Sequence, residues 1–319
     1  MNLEFENELA EIEERIAELS KLDSKEHPQL NKDLGSLRRK MKSLTKKIYD
    51  NLSPWDTVRI ARHPERPLFK DFIASMCSEF IELHGDRRAG DDKALIGGFA
   101  TIDKHRVMLI GMVKGRTVDE KVHHNFGMPN PEGYRKAMRL MKLAEKYGLP
   151  IVCLVDTPAA YPGKEAEERG QAEAIARNLT EMADLGVPVV VVITGEGGSG
   201  GALGIAVGDI IMMLRYAVYS VIPPEGCAAI LWRDAEMAPQ AADALKITAE
   251  SLLELGIIDE IIDEPAGGAH RDPETTIANT REAIIAALLR LKRQSPNRLR
   301  DSRYAKFARM GRVTKTRGK

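Results

Sequence analysis

Val187-Pro-Val-Val-Val-Val-Ile-Thr-Gly-Glu-Gly-Gly-Ser-Gly-Gly-Ala-Leu-Gly-Ile-Ala206 decides how the rest of the chain is read. Its β-branched apolar run, residues 189–193, has the composition of a strand buried on both faces of a parallel sheet. The run stops at Gly195, Gly197, Gly198, Gly200 and Gly201, and small residues suited to a helix follow over 199–207. A strand, a glycine loop and a helix start bring several backbone N–H groups to one point, with the positive end of the helix dipole behind them. Such a place holds a negative oxygen or a phosphate.

Working outward, two more units of the same type flank it. Residues 150–155 read as a buried strand ending in Asp156-Thr-Pro-Ala-Ala-Tyr-Pro-Gly163, and a helix follows over 165–185. Residues 209–214 read as a third strand, followed by 218–222 and Pro223-Pro-Glu-Gly-Cys227. This alternation predicts an α/β fold with parallel strands and right-handed crossovers. Ligands in such sheets bind beyond the C-terminal strand ends, where the loops after Val155 and Ile193 both lie. Upstream, 95–102 and 107–113 predict a hairpin around Asp103-Lys104-His105. Residues 131–147 predict a helix with Pro131 in its first turn and Gly148 as its stop. Downstream, 252–263 reads as a helix, a break at Gly256 and a short strand, and 272–293 as a long helix.

The remaining stretches set the domain organisation. Residues 1–52 predict a helical hairpin. Leu9, Ile12, Ile16 and Leu19 lie on an acidic helix, His27-Pro28 breaks it, and Leu34, Leu37, Met41, Leu44 and Ile48 lie on a basic one. Residues 53–93 read as a connector of short helices with salt-bridged loops, and 94–293 as the main domain. From 294 to 319 the chain is a basic tail. Counted from Lys292, it carries eleven Lys and Arg against Asp301 alone. It is expected to be solvated, or to meet an acidic partner or a nucleic acid.

Composition excludes several classes. With 47 basic and 47 acidic residues the chain has no net field directed at nucleic acid. No apolar run reaches the roughly 20 residues of a membrane helix. The acidic start Met1-Asn-Leu-Glu-Phe-Glu has no signal-peptide core, and Cys77, Cys153 and Cys227 are too scattered for a disulfide framework or a zinc site. The adjacent His123 and His124 lack further ligands. A cytoplasmic protein without a metal of its own is expected.

Three chemistries compete at the glycine loop. A phosphate loop needs Lys and Ser or Thr after its last glycine, and Ala202-Leu203 stand there instead. Gly197-x-Ser199-x-Gly201 matches a nucleophile elbow, which Asp234 or Asp263 and then His270 could complete as a serine hydrolase. The third is an oxyanion hole, in which glycines let a thioester or urea oxygen approach two backbone N–H groups within about 3 Å. A second donor would come from Ala159 or Ala160, and no side-chain nucleophile is required.

The words Gly85-Asp-Arg, Lys114-Gly-Arg, Asn125-Phe-Gly-Met-Pro, Glu168-Arg-Gly-Gln171, Gly195-Glu-Gly-Gly-Ser-Gly-Gly-Ala202 and Pro224-Glu-Gly-Cys227 together resemble the α subunits of the bacterial acetyl-CoA carboxylase carboxyltransferase. The resemblance implies a crotonase-like fold (the ClpP/crotonase type) of ββα units that supplies half of each active site. The implied reaction moves the carboxyl group of carboxybiotin, on the biotin carrier protein, to acetyl-CoA. The malonyl-CoA formed opens fatty acid biosynthesis. A β subunit brings the other half and the zinc, in an α₂β₂ assembly working with biotin carboxylase. The hole for the ureido oxygen then maps to Gly200 and Gly201, helped by Ala159 and Ala160. Biotin itself, once released, serves as the base. Gly198, Ser199, Ala202, Tyr161 and Gly163 are expected to line the substrate. Lys114 and Arg116 are expected at CoA phosphates or the carrier protein, unless ion pairs claim them. The family usually has Gly where this chain has Ala159; a left-handed backbone there would strain Ala by roughly 1–2 kcal/mol.

Overall fold

A computed structural model describes residues 3–22 and 29–311. The hairpin forms as α1 (Asn7–Leu19) and α2 (Leu30–Tyr49). It is antiparallel, since Lys40 on α2 lies 3.6 Å from Glu8 at the start of α1 and the Tyr49 hydroxyl donates to Glu6 at 2.5 Å. The expected break at His27-Pro28 lies outside the described residues. Leu3, Leu9 and Tyr49 anchor the base of the hairpin on Ile60 of α3 (Pro54–Ala61). A capping box starts α3: Ser53 Oγ accepts from Asp56 N at 3.1 Å, and the Asp56 carboxylate accepts from Ser53 N at 3.2 Å.

After α4 (Phe69–Met76) comes a strand, β1 (Cys77–Glu82), where the sequence reading had only helix and loop. It sits at the sheet edge and buries little, so it leaves no clean alternation. β2 (Leu95–Ile102) and β3 (His105–Met112) make the expected hairpin, with Ile102 opposite His105 and Asp103 left-handed at φ 53°. Then follow α5 (Val118–His123), α6 (Pro131–Lys146) and β4 (Ile151–Thr157). The single helix expected over 165–185 is two, α7 (Lys164–Glu168) and α8 (Gln171–Ala183), because Gly170 turns left-handed at φ 86° between them. β5 (Val189–Gly198), α9 (Ser199–Leu203), β6 (Ile210–Leu214), β7 (Val218–Ser220) and α10 (Pro224–Trp232) carry the central unit. α11 (Ala238–Leu245), α12 (Ala249–Glu254), β8 (Glu260–Ile262), α13 (Pro273–Leu291) and α14 (Pro296–Arg309) complete the order.

The strands form one sheet in the order β1-β2-β3-β4-β5-β6-β8, with β7 beside the far end of β5. The first three pair antiparallel; from β3 onward every pairing is parallel. Val152, Val155, Val190, Val192 and Ile193 are fully buried, as strands covered on both faces require. α6 packs on β2 and β3, and α13 on β5 and β8.

The basic stretch read as a solvated tail is folded through Arg309. Its lack of an apolar stripe hid this, because α14 docks largely by its charges, with only Leu299 and Phe307 reaching the core. Arg303 is 1 % exposed. It holds Asp209 at 2.8 and 3.0 Å and donates to the carbonyls of Met182, Leu185 and Val187 at 2.7, 2.9 and 3.1 Å. One turn on, Lys306 reaches Asp259 at 2.8 Å, and one turn back Arg300 donates to Asp184 O at 2.6 Å. Arg312, Lys315, Arg317 and Lys319 lie outside the described residues.

Candidate active site

The C-terminal ends of three adjacent parallel strands meet at one ion cluster. Lys114, just past β3, places Nζ 2.6 Å from Asp156 Oδ1 on β4 and 2.9 Å from Glu196 Oε2 on β5. Asp156 Oδ1 also accepts from Glu196 N at 2.9 Å. The second Glu196 oxygen takes Arg62 Nε at 2.7 Å, and the same guanidinium grips Glu225 in the first turn of α10. Burial pushes the Glu196 carboxyl up, but Lys114 and Arg62 outweigh it and bring it from 4.5 to about 2. Burial likewise opposes the Lys114 charge, and the two carboxylates more than compensate and raise its pKa. Glu196 and Lys114 are therefore ionised throughout the neutral range.

Above it, β5 runs on past the apolar stretch, through the glycines to Gly198, where sequence suggested a loop. Its last residues pair with β7, Gly197 opposite Tyr219 and Gly198 opposite Ser220. Close approach explains these glycines. A Cβ on Gly198 would lie 1.9 Å from Pro158 O, and one on Gly201 would lie 2.3 Å from Ala160 N. The left-handed residue of the loop is instead Ser199, at φ 50°. It turns the strand into α9, which stops at Leu203, short of the expected 207. α9 is held from below: Tyr134 O–H donates to Gly201 O at 3.0 Å, and Asn178 Nδ2 donates to Gly204 O at 2.9 Å.

This arrangement leaves the N–H groups of Gly200 and Gly201, in the first turn of α9, without an acceptor among the described residues. On the facing loop the Ala159 N–H is turned to Thr157 Oγ1 at 3.2 Å, and the Ala160 N–H has no acceptor among the described residues. Ala159 is absent from the left-handed residues, so the strain considered for it does not arise. The Gly195–Ala202 and Asp156–Ala160 loops thus come together as expected. Tyr161 lies against Gly163, its ring atoms 2.4 Å from where a Cβ would stand, and its carbonyl accepts from Gln171 at 2.9 Å. Lys114 and Arg116 present no free charge: Lys114 is in the cluster, and Arg116 is 2.5 Å from Asp71. A narrow cleft beside the loop is bounded by Pro158, Gly197, Gly198, Ile222 and Pro223, with Arg62 and Glu196 in its wall. A far larger cavity, about 950 Å³ between α2 and the main domain, shares no residue with it.

Sequence reasoning missed Arg62, Glu196 and Glu225 at the cluster, and Tyr134 and Asn178 beneath α9. A carboxylate set between two glycines at a strand end was the available signal for Glu196.

The hydrolase reading is overturned. Ser199 does sit at a strand–helix turn with positive φ, but its proposed partners are elsewhere. The His270 ring stacks on His63 at 4.3 Å and its Nε2 is 3.6 Å from Glu6. Asp263 pairs with Arg215, and Asp234 accepts from Glu236 N at 2.9 Å. No hydrogen bond joins Ser199 to a histidine among the described residues. No group of metal ligands occurs among the described residues either.

A mixed sheet with a crossing β7, whose strand ends carry free amides over buried charges, defines a protein of the crotonase-like fold. Solved structures agree. The chain superimposes on transcarboxylase 12S with a TM-score of 0.60 at 20% identity, covering 82% of this chain and 46% of that one. Against the beta subunit of geranyl-CoA carboxylase from P. aeruginosa the TM-score is 0.56 at 17% identity, covering 78% and 46%. The sequence comparison is more specific. The family described as acetyl co-enzyme A carboxylase carboxyltransferase-like matches residues 2–311. The chain is 55% identical, over 97% of both chains, to a protein of Geobacter metallireducens named acetyl-coenzyme A carboxylase carboxyl transferase subunit alpha. Identity is 53% over 97% of both chains for the protein of that name from Halorhodospira halophila, and 50% over 99% and 98% for that of Bordetella pertussis. The chain belongs to the acetyl-CoA carboxylase carboxyltransferase family.

Proposed function

We propose that this chain is the α half of a two-subunit acetyl-CoA carboxyltransferase. The reaction moves a carboxyl group from carboxybiotin, borne on a carrier protein, to the methyl carbon of acetyl-CoA and forms malonyl-CoA. The observation that carries the reading is the pair of unoccupied amides, Gly200 and Gly201, clamped against the Ala159-Ala160 loop in a chain of this family. They are neutral donors beside the cleft, whose lining cation, Arg62, is already paired with Glu196 and Glu225, which suits a ureido carbonyl better than a phosphate. As the carboxyl group leaves, negative charge gathers on that carbonyl oxygen, and amides fixed in advance stabilise it. Gly198, Ser199, Tyr161 and Gly163 are read as the surrounding wall, whereas Ala202, expected there, is fully buried. Ala160 N–H is the better placed of the two candidate helpers, since Ala159 N–H is engaged by Thr157. The proton from acetyl-CoA goes to the ureido group freed by the transfer, so this chain needs no side-chain base.

Only half a site is built here. Val221, Ile230 and Leu231, around α10 beside the cleft, are 74, 72 and 63 % exposed, which favours a second subunit covering them. That subunit is read as a zinc-bearing β chain in an α₂β₂ assembly, supplied by a biotin carrier protein and biotin carboxylase. No helix among the described residues is long and apolar enough to cross a membrane, and all three cysteines are free, which fits work in the cytoplasm. The test is malonyl-CoA-dependent carboxylation of biotin by the chain alone and with its β partner. Activity is expected only from the pair; full activity of the single chain would refute the shared site.

A further inference from the structure

We propose that Arg62, on the helical connector outside the sheet, is a positioning residue for the transfer: it ties the glycine end of β5 to the start of α10 and so sets both walls of the cleft. This rests on the carboxyltransferase reading above. Arg62 follows the last turn of α3, and its guanidinium is shared between two carboxylates. Nε meets Glu196 Oε1 at 2.7 Å, and the terminal nitrogens meet Glu225, one of them in a short contact and the other at 3.4 Å. Glu196 lies between Gly195 and Gly197, two residues before the Gly198 that abuts Pro158. Glu225 directly follows Pro224, which lines the same cleft. A movement of Arg62 would therefore move the amide-bearing strand end relative to the proline wall.

Charge gives a second reason. Asp156, Glu196 and Glu225 contribute three negative charges to the cluster, and Lys114 and Arg62 contribute two positive ones. Lys114 is already wedged between Asp156 and Glu196, so without Arg62 the outer oxygen of Glu196 and the whole of Glu225 would face each other unneutralised. The excess negative field would oppose the charge that develops on the bound oxygen during transfer, not the binding of the neutral ring. The loss should thus fall on kcat and leave KM for biotin nearly unchanged.

The experiment uses the reconstituted two-subunit enzyme with free biotin and malonyl-CoA. Arg62→Gln is expected to lower kcat by about 10- to 100-fold, with KM for biotin within about threefold. The acid limb of its kcat–pH profile should shift upward, because Glu196 loses one of the two cations that keep it ionised. Arg62→Lys, which keeps the charge but reaches fewer oxygens, should recover part of kcat and restore the acid limb. Glu225→Gln should lower kcat less, and the double variant Arg62→Gln/Glu225→Gln should lose less than the product of the two single losses. Should Arg62→Gln fold poorly, Arg62→Lys and Glu225→Gln decide: both are expected to lower kcat with KM for biotin nearly unchanged, and unchanged kcat in both would overturn the proposal. A folded Arg62→Gln enzyme with unchanged kcat and acid limb, or strictly multiplicative single losses, would overturn the proposal. Wild-type enzyme inactive with its partner would instead remove the carboxyltransferase reading itself.

Discussion

The parallel strands carry charged groups at both ends, and the two ends are built differently. At the back, before β5, β6 and β8, the cations of α14 close on Asp209, Asp259 and loop carbonyls, and Arg303 donates to six acceptor atoms. At the front, Lys114 and Arg62 are held in ion pairs too, but the backbone of the neighbouring loops is not: the Gly200, Gly201 and Ala160 N–H groups have no acceptor among the described residues. A buried guanidinium with every donor used stiffens the fold. Buried charges under unused amides hold those amides in place for something else. Charge at a strand end does not by itself mark a site; the unsatisfied donors above it do.

The contrast can be broken at either end. The largest effect is expected at the back. Arg303→Met leaves Asp209 uncompensated and should cost about 3–5 kcal/mol of stability, read from denaturant unfolding. The folded fraction should keep its kcat within about twofold, and a matching collapse of kcat would mean that the back also serves catalysis. At the front the signs reverse. Gly201→Ala pushes a methyl into the Ala159-Ala160 peptide and should lower kcat by about 10²–10³, with unfolding free energy reduced by no more than about 1–3 kcal/mol.

The third test uses pH. Glu196 has its pKa depressed from 4.5 to about 2, so its contribution is complete above pH 4.5 and is lost as pH falls toward 2. The Tm–pH curve of Glu196→Gln should therefore be flatter than wild type across that window, while Ser199→Ala, which touches no charge, keeps the wild-type slope there. Equal slopes in all three proteins would erase the distinction. The smallest effect belongs to Ser199. Ser199→Gly should gain about 0.5–1 kcal/mol from relief at φ 50°. Ser199→Ala should keep activity within about tenfold, and a fluorophosphonate should leave the wild-type serine unlabelled.

Much of this was legible in the sequence because it rests on local pattern. The apolar run 189–193, the hairpin around Asp103 and the punctuated helix after Pro131 each carry their own period and stop signals. The meeting of the Gly195–Ala202 and Asp156–Ala160 loops followed from adjacent parallel strands. What stayed hidden depends on distant partners. β5 continues through its glycines because β7 pairs with them, although glycine disfavours strands on its own. α14 has no apolar stripe to announce a helix, since only Leu299 and Phe307 join the core and the rest of its docking face is Arg300, Arg303 and Lys306. Lys114, Asp156 and Glu196 stand about forty residues apart each, and Arg62 lies outside the sheet domain altogether. The strain considered at Ala159 assumed a left-handed turn that the backbone makes at Ser199 instead.

Arg303 also has a consequence in time. Its partners lie 94 to 121 residues earlier, so β5 and β6 leave the ribosome long before the group that closes their near ends. The strands must wait, with Asp209 uncovered, until α14 has been translated. A nascent chain halted before residue 296 should therefore stay dependent on chaperones, and release of α14 should be the event that commits the sheet to its final form.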